Sequence, residues 1–121
     1  MPRTALVVDD SASMRQMVSF TLQQRGFSIR EGGNGREGLQ VLGTDRVDLV
    51  ITDLNMPEMD GLTFIRELRT RANAKFTPVL MLTTESQDGK KAEGKAAGAT
   101  GWIVKPFNPE KLLAVVDKLV P

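Results

Sequence analysis

The sequence contains no cysteine and no histidine. Without cysteine there is no disulfide framework, thiolate nucleophile or zinc–thiolate site. That absence fits a reducing cytoplasm, the expected location. Without histidine the chain carries no catalytic imidazole, no histidine metal ligand and no phosphohistidine of its own. It also lacks an excess of either charge: 16 Lys and Arg stand against 15 Asp and Glu, a net charge of +1. Such a balance gives no general field for nucleic acid or an anionic membrane, so neither is expected as a partner. Apolar runs are only a few residues long, so no membrane insertion is expected. The N-terminus has no signal-peptide apolar segment; Pro2-Arg3 leads directly into a strand.

What is present is globular. Of 121 residues, 40% are hydrophobic and 26% charged, enough for one core without disulfide or metal support. Residues 1–121 read as a single domain, with strand and helix alternating five times. Ala5–Val8 is a short apolar run that stops at Asp9-Asp10. Met14, Met17, Val18, Thr21 and Leu22 follow at one-face helical spacing. Ser13 and Gln16 have capping-box spacing, and Gly26 suits the helix stop. A second strand is expected at 27–30, then a turn at Gly32-Gly33-Asn34-Gly35 and a short helix marked by Leu39 and Leu42.

Leu49–Thr52 is the third strand, ending at Asp53. Asp60 caps a third helix carrying Leu62, Ile65 and Leu68. Val79–Leu82 ends at Thr83, the polar stretch Asp88–Ala97 is a candidate fourth helix, and Trp102–Val104 ends at Lys105. Asn108-Pro109-Glu110 then starts a fifth helix whose inner face is Leu112, Leu113, Val116 and Leu119.

Near-continuous apolar strands are buried on both faces, and alternating units of this kind build a parallel sheet with helices on both sides. The expected fold class is therefore α/β, a single doubly wound five-stranded parallel sheet with five helices. Every strand then ends on one edge, where open sheets of this kind bind their ligands. That edge receives Asp9 and Asp10, Asp53, Thr83 and Lys105. Three carboxylates brought together repel one another, and one lysine cannot neutralise them. A hard divalent cation can, and an oxygen-only donor set points to Mg²⁺. A carboxylate beside such a cation can attack phosphorus and form an aspartyl phosphate. Thr83 and Lys105 would then face the phosphoryl oxygens. Taken singly, each residue has an ordinary explanation: a turn, a helix cap, a surface charge. Their convergence on one edge favours function.

Four segments carry a family resemblance. Val7-Val8-Asp9-Asp10-Ser11, the run from Thr52 to Gly61, Met81-Leu82-Thr83-Thr84 and Lys105-Pro106-Phe107 resemble the response-regulator receiver family, in particular its stand-alone chemotaxis members. The resemblance implies strand order 2-1-3-4-5. It implies that Asp53 accepts phosphate from a sensor histidine kinase. Asp10, Asp53 and the Asn55 backbone carbonyl would ligate Mg²⁺, with Asp9 acting through water. Thr83 and Lys105 would contact the phosphoryl group, and Trp102 would occupy the aromatic switch position, where Tyr or Phe is commoner. Asn55 and Glu85 stand where the family's side chains flank the attacking water, and Thr84, larger than the usual residue, narrows access; these three would tune lifetime. Lys105-Pro106 matches the family's cis peptide.

The implied chain is a phospho-acceptor switch, catalysing only its own phosphorylation and dephosphorylation. Its expected partners are the kinase, a downstream protein and a phosphatase, and a monomer is expected. The last helix runs to the C-terminus, so output is expected through protein contact unless the chain is a fragment. The flagellar motor is the first expectation; a phosphate sink or adaptor in another pathway is the second.

Two other classes compete. A flavodoxin-like flavin domain would hold phosphate in the first loop, where Asp9-Asp10 repels it. An aspartate-nucleophile phosphatase needs an acid two residues after the nucleophile, where this chain has Asn55. The stretch 89–95 is poor in apolar residues for the family's fourth helix. It is expected to be the least stable helix, with Gly94→Ala firming it; alternatively Gly94 permits close packing against a neighbour. Trp102 reads alternatively as a core-packed strand aromatic.

Overall fold

The computed structural model describes residues 3–84 and 88–121. Five strands, β1 (Arg3–Val8), β2 (Phe27–Gly32), β3 (Leu49–Asp53), β4 (Val79–Thr84) and β5 (Gly101–Lys105), alternate with five helices. These are α1 (Ala12–Gln24), α2 (Gly35–Leu42), α3 (Gly61–Arg69), α4 (Asp88–Ala97) and α5 (Pro109–Leu119). The sheet order is β2-β1-β3-β4-β5, and every pair is parallel. This is the expected doubly wound α/β fold. Among the described residues no helix is long and apolar enough to cross a membrane.

Alternation along the strands sorts the core into two layers. Leu6, Val8, Val50 and Met81 face α2, α3 and α4, meeting Leu39, Leu42, Phe64, Ile65, Leu68 and Ala97. Ala5, Val7, Leu49, Ile51, Leu80, Leu82 and Ile103 face α1 and α5, meeting Val18, Leu22, Leu112 and Val116. The three middle strands are apolar on both sides because both sides are covered.

The helix starts follow side-chain chemistry. Asp60 and Asn108 accept the amides of Thr63 and Lys111, as their positions predict. Asn34, read from sequence as part of a turn, caps α2 by accepting from Glu37 N–H. The first cap differs from expectation: it is Ser11, not Ser13. Ser11 has the extended backbone of a cap, and its Oγ accepts from Met14 N–H at 3.3 Å. Ser13 lies inside the first helical turn. Strand β2 also runs further than 27–30, because its pairing with β1 continues to Val8↔Gly32. The Lys105-Pro106 peptide is cis, as the resemblance implies.

Helix α4 forms over Asp88–Ala97, and its close contact is made by a glycine. A Cβ on Gly94 would collide with the Met81 thioether end, so Gly94 lets the helix lie directly on β4. Gly94→Ala is therefore no simple gain in helix propensity, in line with the close-packing reading of this glycine: the added methyl must shift the flexible end of a buried side chain.

Candidate functional site

The strand register assembles the site. Val8 pairs with Thr52, so Asp9, one residue on, comes level with Asp53. Asp53 pairs with Leu82, which sets Thr83 just beyond it, and Thr84 pairs with Lys105. One carboxylate oxygen from each of Asp9, Asp10 and Asp53 lies within 4.8 Å of the others. Asp9 and Asp53 are buried and Asp10 is exposed. The Lys105 ammonium reaches in from β5, donating to Asp53 Oδ1 at 3.2 Å and standing 3.7 Å from Asp9 Oδ2.

Asp9 is held from several directions. Its amide donates to the Gly32 carbonyl at 3.1 Å, and its Oδ1 accepts from Ser11 N–H at 2.9 Å. Its carbonyl accepts from Arg15 Nη1 at 2.6 Å. Burial pushes the Asp9 carboxyl above its ordinary value of 3.8. The Ser11 amide and Lys105 work against that rise, and Asp53 and Asp10 add to it. Among the described residues its buried Oδ2 has no hydrogen-bond donor. The Thr83 hydroxyl is likewise buried without a partner among them. Buried polar atoms left without a partner cost stability, so both atoms favour a ligand that would engage them. The donor set is all oxygen, which is what a hard divalent cation takes.

Comparison with known proteins decides the family. Residues 5–117 match the response regulator receiver domain. The chain belongs to the receiver domain family. It is thus a CheY-like receiver domain of two-component signalling, a family of phospho-acceptor switches. The chemotaxis response regulator CheY4 of Vibrio cholerae superimposes with a TM-score of 0.92 at 50% identity, over 98% of this chain and 99% of that one. Transcriptional regulatory protein SrrA of Staphylococcus aureus is 33% identical over 120 residues, covering 99% of this chain and 48% of SrrA. The chain thus spans about half the length of the curated relatives it matches. The receiver domain of the Pseudomonas aeruginosa sensor histidine kinase PA1611 shares the fold, with a TM-score of 0.89 at 22% identity and 99% and 98% coverage. That protein's structure has a magnesium ion coordinated in its active site cleft.

The receiver's remaining residues fall as follows. Thr84 is half-buried opposite Lys105. The Asn55 side chain is exposed and lines a cleft of about 60 Å³ with Leu54, Asp60, Leu62 and Lys90. Glu85 lies outside the described residues. Trp102 pairs in register with Met81 and is 37% exposed, so the core-packed reading of its ring does not hold.

Two residues that shape the site stand out only in three dimensions. A Cβ on Gly61 would collide with the Asp53 carbonyl and come within 2.9 Å of Leu54 Cα. Gly61 therefore lets α3 begin directly against the end of β3, and its amide donates to Leu54 O at 2.8 Å. Arg15 grips the Asp9 carbonyl from α1. Gly61 belongs to a recognisable motif, but its steric role has no linear signal; Arg15 has none at all.

Proposed function

We propose that Asp53 accepts a phosphoryl group from the phosphohistidine of a sensor histidine kinase, in a Mg²⁺-dependent step, and that the modified chain binds a protein target. The observation that carries this reading is the convergence of Asp9, Asp10 and Asp53, with Lys105 Nζ 3.2 Å from Asp53 Oδ1. A carboxylate oxygen of Asp53 attacks phosphorus. The P–N bond breaks, its electron pair stays on the leaving imidazole nitrogen, and that nitrogen takes up a proton. Lys105, already at the acceptor carboxylate, offsets charge on the phosphoryl oxygens. The Thr83 hydroxyl, without a partner among the described residues, supports a role as donor to one of those oxygens. Its movement toward the phosphoryl group is the start of the switch, and the exposed Trp102 ring on the neighbouring strand is its reporter.

Asp10, Asp53 and the Asn55 backbone carbonyl would hold the Mg²⁺, with Asp9 acting through water. When bound, the ion supplies positive charge to the phosphoryl oxygens and relieves repulsion among the carboxylates. Asn55, Thr84 and Glu85 set how readily water reaches the aspartyl phosphate, and a phosphatase can work through the same positions. The chain acts as a monomer in the cytoplasm.

For output, the 50% identity to a chemotaxis regulator over nearly the whole of both chains supports the flagellar motor. The half-length match to SrrA favours a second reading, a receiver serving another two-component pathway, as phosphate sink, adaptor or part of a larger regulator.

Incubation with acetyl phosphate and Mg²⁺ tests the acceptor. The expected result is one base-labile phosphoryl group on Asp53, abolished in Asp53→Asn. Lys105→Ala should keep the acceptor yet lose the Trp102 fluorescence response to beryllofluoride. A label found on serine or threonine would overturn the mechanism. Capture with the beryllofluoride-treated and untreated chain, using motor-switch protein as bait, separates the two outputs.

A further inference from the structure

We propose that Arg15 is a positioning residue for the acidic loop, setting the aim of Asp10 and thereby the metal affinity of the site. The inference rests on the metal site proposed above. Arg15 lies one turn past the Ser11 cap, and its amide donates to Ser11 O at 2.9 Å. Helical side chains lean toward the N-terminus, so the guanidinium is carried back over the loop that precedes α1. There Nη1 donates to the Asp9 carbonyl at 2.6 Å, while Nε donates to Glu31 Oε1 at 3.0 Å. Glu31 sits at the end of β2, paired in register with Val7. One guanidinium therefore ties the end of β2 and the start of α1 to the Asp9 backbone that follows β1.

The consequence follows from peptide geometry. The Asp9 carbonyl and the Asp10 amide belong to one planar unit. Holding that carbonyl, with the Asp9 amide already fixed to Gly32 O, fixes the plane from which Asp10 departs. Asp10 is the exposed member of the cluster, and none of the hydrogen bonds just described involves its side chain. Three carboxylates within 4.8 Å repel and would spread if the backbone allowed it. The Arg15 clamp resists that spreading, so the donors stand ready before a cation arrives. Partners of this outer kind typically change metal affinity by about 10–100-fold.

A purely electrostatic role predicts the opposite sign. Arg15 is a positive charge close to a cation site, so removing it would tighten Mg²⁺ binding. Lysine separates the two roles, because its point charge cannot reproduce a planar fork that serves two acceptors. Calorimetric Mg²⁺ titration of wild type, Arg15→Lys, Arg15→Met and Glu31→Gln is the test, together with amide exchange at Asp10 and Ser11 in EDTA. Positioning predicts binding weakened about tenfold in both Arg15 variants, with faster exchange at those two amides without metal. Glu31→Gln leaves Arg15 in place and should shift both readouts less, in the same direction; it also serves if an Arg15 variant folds poorly. Overturning results are wild-type affinity in Arg15→Lys with tighter binding in Arg15→Met, or unchanged exchange at both amides. Failure of wild type to bind Mg²⁺ would overturn the metal-site reading and this inference with it; failure confined to the variants' expected loss overturns the inference alone.

Discussion

Replacing Asp9 by Asn should stabilise the metal-free protein, although it removes an ion-pair partner. The 3.7 Å approach of Lys105 attracts the Asp9 carboxylate by about 4.5 kcal/mol at an effective dielectric of about 20. Asp53, within 4.8 Å, repels it by about 3.5 kcal/mol on the same scale, and Asp10 adds a screened share. With the Asp10 share the Coulomb contributions nearly cancel, which leaves desolvation of a fully buried carboxylate whose Oδ2 has no donor among the described residues. The carboxamide oxygen that the substitution introduces keeps the Ser11 amide bond, and the new NH₂ group can donate to a neighbouring carboxylate. A gain of about 2 kcal/mol follows, or a rise in Tm of about 8 °C for a chain of this size.

The pH dependence carries a second sign. The folded Asp9 pKa is raised above the ordinary 3.8. Between those two values the folded state holds the proton more tightly than the unfolded state does. This contribution is fully present below the unfolded value and is lost as pH rises through the folded one. Asp9→Asn should remove that fall, so its advantage over wild type grows from acid to neutral pH. Urea unfolding in EDTA between pH 4 and 8 reads both effects. A variant less stable than wild type at neutral pH, or a gap that does not widen with pH, would refute the reasoning.

Three further outcomes are expected. Saturating Mg²⁺ should raise the wild-type Tm by mass action, and Asp10→Asn should lose most of that rise; an unmoved wild-type curve would remove the metal site. Gly61→Ala should destabilise by about 3 kcal/mol, because its methyl meets backbone at Asp53 and Leu54 that cannot step aside, and a urea midpoint near wild type would contradict this. Amides at 90–97 should exchange faster than those of α1 and α5, since Ala92 and Ala96 are exposed and only small residues face the core. Gly94→Ala gains about 1 kcal/mol in helix propensity but must shift the Met81 thioether end, so exchange there should slow less than that gain alone gives; slowing by the full amount at unchanged Tm would count against the Met81 contact.

Much of this protein is written in short-range pattern. Apolar runs such as Leu49–Ile51 must be covered on both faces, and helices between them leave the parallel sheet as the arrangement that does so. Asp60 and Asn108 cap helices through bonds to amides three residues away, so their roles are local and readable. Asp53, Asp9-Asp10, Thr83 and Lys105 are legible for a related reason: each sits where an apolar run stops, and parallel topology sends all those stops to one edge. The choice between Ser11 and Ser13 was not legible, because both spacings suit a cap and the path of the Asp9-Asp10 loop selects one. Nor was the exposure of Trp102, which depends on what covers the outermost strand. The tertiary structure alone decided that Arg15 reaches Asp9 and Glu31, that Gly61 stands where no methyl fits and Gly94 lies against Met81, and that Thr83 has no hydroxyl partner among the described residues. These facts concern atoms from separate elements meeting within a few ångströms, and such meetings are set by register and crossover, which no local run of residues encodes.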